Sequence, residues 1–237
     1  MTRRSRSTPE RGELPPAPPP RPRHPSTPRE GELLEAERAL SRKVAERDHL
    51  FEEARQVRRA SQDSMRRFHL GEDPGAALRA LAPRVRRLQH PAEGGEGIAS
   101  DALQEYAEAR LLEAVVRKRP LPSLSTLGVP VEAYLGALGD LVGEVRRLTV
   151  AALGDEHLSD AEAYLDLMDD LLHALLRFEA PRGIIALKPK QDLARSLVER
   201  TRGDVALARV LRRAARAVGA DGDRMVAEGL KAAGRLG

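Results

Sequence analysis

The sequence predicts an all-α protein, a bundle of about seven helices. Apolar residues after residue 30 recur at the helical period, and no alternating strand-like segment exceeds a few residues. Proline, glycine and capping residues fall between the periodic segments, where helices start and stop. With only six aromatic residues among 41% hydrophobic ones, the core has to be built mainly of Leu, Val and Ala.

The chain opens on residues 1–30, which hold seven Arg, three Glu and nine of the 17 prolines. Such a segment cannot bury a core and is expected to be disordered or polyproline-like, ahead of a helical domain over residues 31–237. Its charge of +4 equals that of the whole chain, so the remainder is formally neutral. Two readings of the tail are open: a loose phosphate-binding arm, or a solvated extension. A neutral body argues against a surface coated throughout for phosphate, so nucleic-acid contact has to come from local patches.

One patch lies on the first helix, expected from Glu32 to Leu70 and ending near Gly71. At about 100° per residue, Arg55, Arg59 and Arg66 fall in one stripe about 40° wide, with Arg58 and Gln62 beside it. Leu50, Val57 and Phe68 point the opposite way and can pack inward. The arginines could track a phosphate backbone, or pair with Glu52 or a neighbouring subunit. No aromatic stacking platform accompanies them, which disfavours base-by-base reading of single strands.

Asp73-Pro74 opens the next helix, and Pro83 should bend or split the 74–89 segment. Ser100 can cap a helix over 101–117, and Pro130 opens another. Ser159-Asp-Ala-Glu162 fits a capping box before a helix from Tyr164 to Phe178. Pro189 precedes a helix to about Arg202, and a further one is expected from Asp204 to Val218.

Two of these helices carry paired acids. In the first, Glu105 and Glu108 share a side with Ala109, Leu112 and Val116, while Arg110, Glu113 and Arg117 make the expected solvent face. In the second, Tyr134, Leu138, Leu141, Val145, Leu148 and Ala152 form one apolar stripe, with Glu144 at its border and Asp140 just beyond. Carboxylates bordering apolar faces need a cation or donor to offset desolvation. Two facing helices of this kind would gather four carboxylates into a site for a hard divalent cation such as Mg²⁺. The alternative is that Arg146, Arg147 or an arginine from another helix pairs with them.

Other chemistries find less support. No histidine neighbours either acidic pair in sequence. Glu46-x-x-His49 and Asp170-x-x-His173 lack the flanking acids of a di-iron bundle and read as surface groups. Gly94-Gly95-x-Gly97 lacks the preceding strand and the lysine of a P-loop, and no Gly-x-Ser-x-Gly elbow occurs. With no cysteine there is neither disulfide nor Cys-ligated metal, which suits a reducing cytoplasm. No apolar run approaches the roughly 18 residues of a membrane span, and no secretory signal is evident.

The run Asp101-Ala-Leu-Gln-Glu-Tyr-Ala-Glu-Ala109 resembles the acidic helix of the translin/Trax family, as does the run from Val131 to Arg147 with its Tyr-Leu-Gly lead-in. The similarity spans about residues 40–205, including Arg55 to His69 with Gly71-Glu72 and the run Lys190 to Asp204. Ala92 to Ala99 departs from the aromatic character usual there. The resemblance implies a translin-like bundle and a Trax-type subunit, with Glu105, Glu108, Asp140 and Glu144 as catalytic residues that hold Mg²⁺, or Mn²⁺ in its place. The implied activity is a metal-dependent endoribonuclease acting on single-stranded or small structured RNA, leaving 5′-phosphate and 3′-hydroxyl ends. Single-stranded DNA is an open second partner, and a closed homo-oligomer, commonly octameric, is implied with the acids facing its cavity. The alternative is a non-catalytic, translin-type protein that binds single-stranded nucleic acid.

Overall fold

The structure, a computed structural model, describes residues 29–89, 96–181 and 184–233, with side chains from Gly97 onward in the second stretch and up to residue 219 in the last. Eight helices and no strand occur among the described residues: α1 (Glu30–His69), α2 (Gly75–Ala80), α3 (Ala82–Leu88), α4 (Glu96–Val116), α5 (Leu124–Leu127), α6 (Val131–Gly154), α7 (Leu158–Leu175) and α8 (Leu187–Ala233). The expected tail over residues 1–30 falls outside the described residues except for its last two. The chain divides into two units, Met1–Arg42 and Lys43–Gly237. In the first, the described residues are the exposed beginning of α1.

The long first helix ends as its sequence suggested. Gly71 takes the left-handed conformation at φ 76°, and the Glu72 amide donates back to the Arg67 carbonyl at 3.0 Å. Pro83 does split the following segment, into α2 and α3 at Leu81. Pro130 sits at the N-cap of α6.

Several boundaries differ from expectation. Helix α4 begins at Glu96, so Ser100 lies inside it and caps nothing. Helix α7 begins at Leu158, because Glu156 at φ 61° turns the chain straight out of α6; the Ser159 capping box is not formed. Pro189 is the third residue of α8 rather than its herald, a first-turn position where a missing N–H costs little. The two C-terminal helices are one, running through Gly203. The short α5, held by Ser123 accepting from the Thr126 amide, was not anticipated.

Helix α6 is the centre of this unit and packs against α4, α7 and α8. Its apolar stripe packs inward: Leu141 and Val145 are fully buried, Leu138 and Ala152 nearly so, and Tyr134 and Leu148 partly. The largest buried side chains elsewhere are Leu78, Leu88, Leu103, Leu111, Leu112, Met168, Leu175 and Leu187, so aliphatic groups do fill the core. From α1, Val57 and Phe68 join it, as the helical wheel indicated. Fully burying each such side chain is worth about 1.5–3 kcal/mol.

Two polar arrangements fix helix register. The buried Gln191 amide donates to the Leu175 and Phe178 carbonyls at 2.8 and 2.9 Å, satisfying orphan acceptors at the end of α7. Arg146 of α6 bonds Thr201 and reaches Asp204 at 3.0 Å, both on α8. Because Leu141 is fully buried in the core, Leu141→Ala is expected to lower stability by about 2–5 kcal/mol in urea unfolding. The exposed Val150→Ala on the same helix should change it by less than about 0.5 kcal/mol.

Candidate active site in the acidic cleft

All four acids singled out from the sequence line one cleft of about 770 Å³, together with Gln62, Arg66, His69, Arg147 and residues of α8. Glu105 and Glu108 come from α4, and Asp140 and Glu144 from α6. Packing of α4 on α6 brings the two pairs to one place.

The acids differ in their surroundings. Glu105 is half-buried, and its Oε1 accepts from Gln62 Nε2 at 2.9 Å. Asp140 is held by Lys190, whose Nζ lies 2.6 and 2.7 Å from its two oxygens, and by Gln104 Nε2 at 2.7 Å. Glu144 is buried, with its Oε2 2.5 Å from His69 Nε2 and its Oε1 3.2 Å from Arg147. Glu108 is 7% exposed, and no donor among the described residues reaches its carboxyl group.

That isolation has an electrostatic consequence. Burial, then the charges of Asp140, Glu144 and Glu105, push the Glu108 carboxyl up to about 8, with Lys190 partly offsetting the rise. Against four carboxyls the cleft sets two permanent cations in contact with them, Lys190 and Arg147, leaving a formal charge of −2 when His69 is neutral and all four acids are ionised.

Two glycines of α6 make the partners' approach possible. A Cβ at Gly139 would lie 3.0–3.1 Å from the Lys190 stem, so the lysine crosses directly over the helix backbone beside Asp140. A Cβ at Gly136 would sit 2.1 Å from Gln104 Oε1, in the space that side chain occupies. Gln191, one residue beyond Lys190, anchors this end of α8 to α7.

The donor set suits Mg²⁺ in kind: hard oxygens, a surplus of two negative charges and one buried carboxyl without a partner. Yet no three acidic or histidine side chains among the described residues converge as a ready-made metal site. The cause is visible. Lys190 and Gln104 engage Asp140, and His69 and Arg147 engage Glu144, so these carboxylates point at protein cations and donors.

Other expectations need correction. Glu113 does not face solvent. It is buried and lies 3.2 Å from each of Arg79, Arg110 and Arg117, because α4 is covered on this side as well by α2. No histidine neighbours the acids in sequence, but the fold delivers His69 to Glu144. Arg147 is indeed a partner of Glu144, whereas Arg146 turns to α8, and Asp140 is paired with a lysine. Nothing in local spacing marks Lys190, His69 or Gln104. All three lie in runs that carry the family resemblance, which is the one signal the sequence offers for them.

The arginine stripe on α1 is exposed. Arg55 pairs with Glu52 at 2.6 Å and Arg66 with Asp63, while Arg58 and Arg59 have no ion-pair partner among the described residues. Gln62 beside them turns into the cleft. His49 and His173 are surface groups, the latter bonded to the Asp169 carbonyl.

The proton on Glu108 couples folding to pH. Its folded value lies above the ordinary 4.5, so the stability it lends is fully present below about pH 4.5 and is lost as pH rises through 8. Glu108→Gln removes this dependence. With EDTA present, urea unfolding near pH 9 should find the variant more stable by roughly 1–3 kcal/mol, the gap closing toward about pH 4.5.

No family model matches the chain. An uncharacterized protein of Methanocaldococcus jannaschii is 28% identical over 172 residues, 70% of this chain and 78% of that one. Among solved structures, AfC3PO in complex with duplex RNA superposes with a TM-score of 0.69 at 27% identity, covering 76% of this chain and 97% of that one. AfC3PO alone gives 0.68 at 27% identity, with 76% and 98% covered. Apo-NeC3PO shares the fold at 0.66 and 19% identity, over 78% of this chain and all of that one. Among the described residues no helix is long and apolar enough to cross a membrane. An all-helical bundle that matches C3PO proteins over nearly their whole length, with both acidic runs brought to one cleft, bears out the chain's resemblance to the translin/Trax family.

Proposed function

We propose that the chain is a metal-dependent endoribonuclease whose catalytic residues are Glu105, Glu108, Asp140 and Glu144. The observation that carries this reading is the gathering of these four acids in one cleft, with Glu108 buried among the others and, among the described residues, without a donor. The cation held by the four carboxylates would be Mg²⁺, with Mn²⁺ able to substitute. It would supply Lewis acidity at the phosphate and acidify the attacking water.

The chain's own residues provide the rest. Glu108 is the better placed of the two α4 acids to accept the water's proton, since Gln62 already occupies one oxygen of Glu105. The water oxygen bonds to phosphorus and the bond to the 3′ oxygen breaks. That oxygen leaves as a 3′-hydroxyl after taking a proton from solvent, and the phosphate stays on the 5′ end of the other fragment. No 2′-hydroxyl takes part, so DNA is not excluded by the chemistry. Arg147, 70% exposed at the cleft, and the α1 arginines Arg55, Arg58, Arg59 and Arg66 would hold flanking phosphates. The ion pairs of Arg55 and Arg66 are exposed ones, weak enough to yield to a phosphodiester.

RNA is the favoured substrate, since AfC3PO has been solved with duplex RNA. A homo-oligomer, octameric by the family resemblance, would enclose the cleft and select by size and strandedness. A second reading is favoured by one observation: Lys190 and Arg147 already pair with Asp140 and Glu144. On that reading the acids are structural and the protein binds nucleic acid without cutting it.

Labelled single-stranded and duplex RNAs, incubated with Mg²⁺ or EDTA, separate the two. Cutting should require Mg²⁺ and fall by at least about 10²-fold in Glu108→Ala and Asp140→Ala, with folding and oligomer size retained. RNA binding without cleavage, unchanged by either substitution, would leave only the binding protein.

A further inference from the structure

We propose that Lys190 is a displaceable counter-ion of the acidic cleft: its ammonium group stands in for the cation at Asp140 and leaves when a divalent ion binds. The inference rests on the cation-binding reading of the four acids. It goes beyond that reading by giving a residue outside the acidic runs control over how tightly the cation is held.

The geometry supports displacement rather than permanent pairing. Lys190 Nζ spans both oxygens of Asp140, at 2.6 and 2.7 Å, which is where a cation would draw its ligands from this residue. The pair is neither deep nor rigidly enclosed, with the two side chains 30% and 26% exposed. An ion pair so open to water exchanges its partner at modest cost. The stem, however, is fixed. It runs over Gly139, and Gln191 clamps the adjoining turn of α8 to the end of α7, so the lysine cannot wander from the cleft. Only the ammonium end, beyond the Cδ that lies over Gly139, is free to swing.

Its neighbours leave the role to this one group. Arg147 touches Glu144 rather than Asp140 and extends into solvent. Arg66, at the cleft wall, is paired with Asp63. Gln104 also donates to Asp140, but it is neutral and can remain beside a cation. Lys190 is therefore the positive charge that competes directly for Asp140, and without it that carboxylate keeps only Gln104.

Two measurements test this, neither of them catalytic. The first follows acetylation of Lys190 in the unmodified protein by mass spectrometry, in EDTA and in saturating Mg²⁺. Lys190 should become several-fold more reactive with Mg²⁺, while Lys188, paired with Asp192 outside the cleft, should not change. The second measures Mn²⁺ binding by calorimetry in wild type, Lys190→Met and Asp140→Asn. Loss of a competing charge should tighten binding in Lys190→Met by about tenfold or more, the size of a one-unit effect from a neighbouring charge. Asp140→Asn should weaken it. Weaker or unchanged binding in Lys190→Met, together with unaltered Lys190 reactivity, overturns the counter-ion role while leaving the cation site standing. If wild type binds no Mn²⁺ that Asp140→Asn removes, the cation reading itself fails and the counter-ion role with it.

Discussion

Repulsion among four carboxyl groups is the constraint around which the α4–α6 interface is organised. Like charges gathered in one cleft destabilise the folded state unless they are protonated, paired or bridged. This protein uses the first two on different residues. Glu108 takes up a proton more readily than an ordinary glutamate, while Asp140 and Glu144 are met by Lys190, His69 and Arg147. What remains is a cleft still short of positive charge.

Holding those partners in place falls to features that carry no charge. Gly136 and Gly139 remove side chains from one side of α6, so that Gln104 and Lys190 can lie against its backbone. Gln191 ties the start of α8 to the end of α7, and Arg146 ties its middle to α6. The course of the Lys190 stem is thus set by helix register, and only its ammonium end is held by attraction to Asp140. A lysine held that way can release its partner without disturbing the fold.

The same logic appears on the far side of α4. Glu113 sits among Arg79, Arg110 and Arg117, and Glu53 of α1 is clamped by Arg84 and by Arg87 at 2.7 Å, both from α3. These buried acids are matched by more cations than they need, so they serve as fixed joints. The contrast with Glu108 is informative. Both helix faces bury glutamates, but among the described residues only the α6 side leaves one without a donor, and that is the side lining the cleft.

By itself the sequence determined the helical class, most helix positions, the inward faces of α1 and α6, and the two acidic pairs, one on each helix. Each of these follows from residues close together in the chain, where the helical period converts spacing directly into direction. Boundaries such as Glu96 and Leu158 escaped it, because they depend on how a turn is built rather than on which residues could cap it. Glu113 was misjudged for a related reason: a wheel shows which residues share a face, not whether that face is covered. Only tertiary structure decided that Lys190, His69 and Gln104 meet the acids. These contacts join residues 36–75 positions apart, and their existence depends on interhelical packing and register.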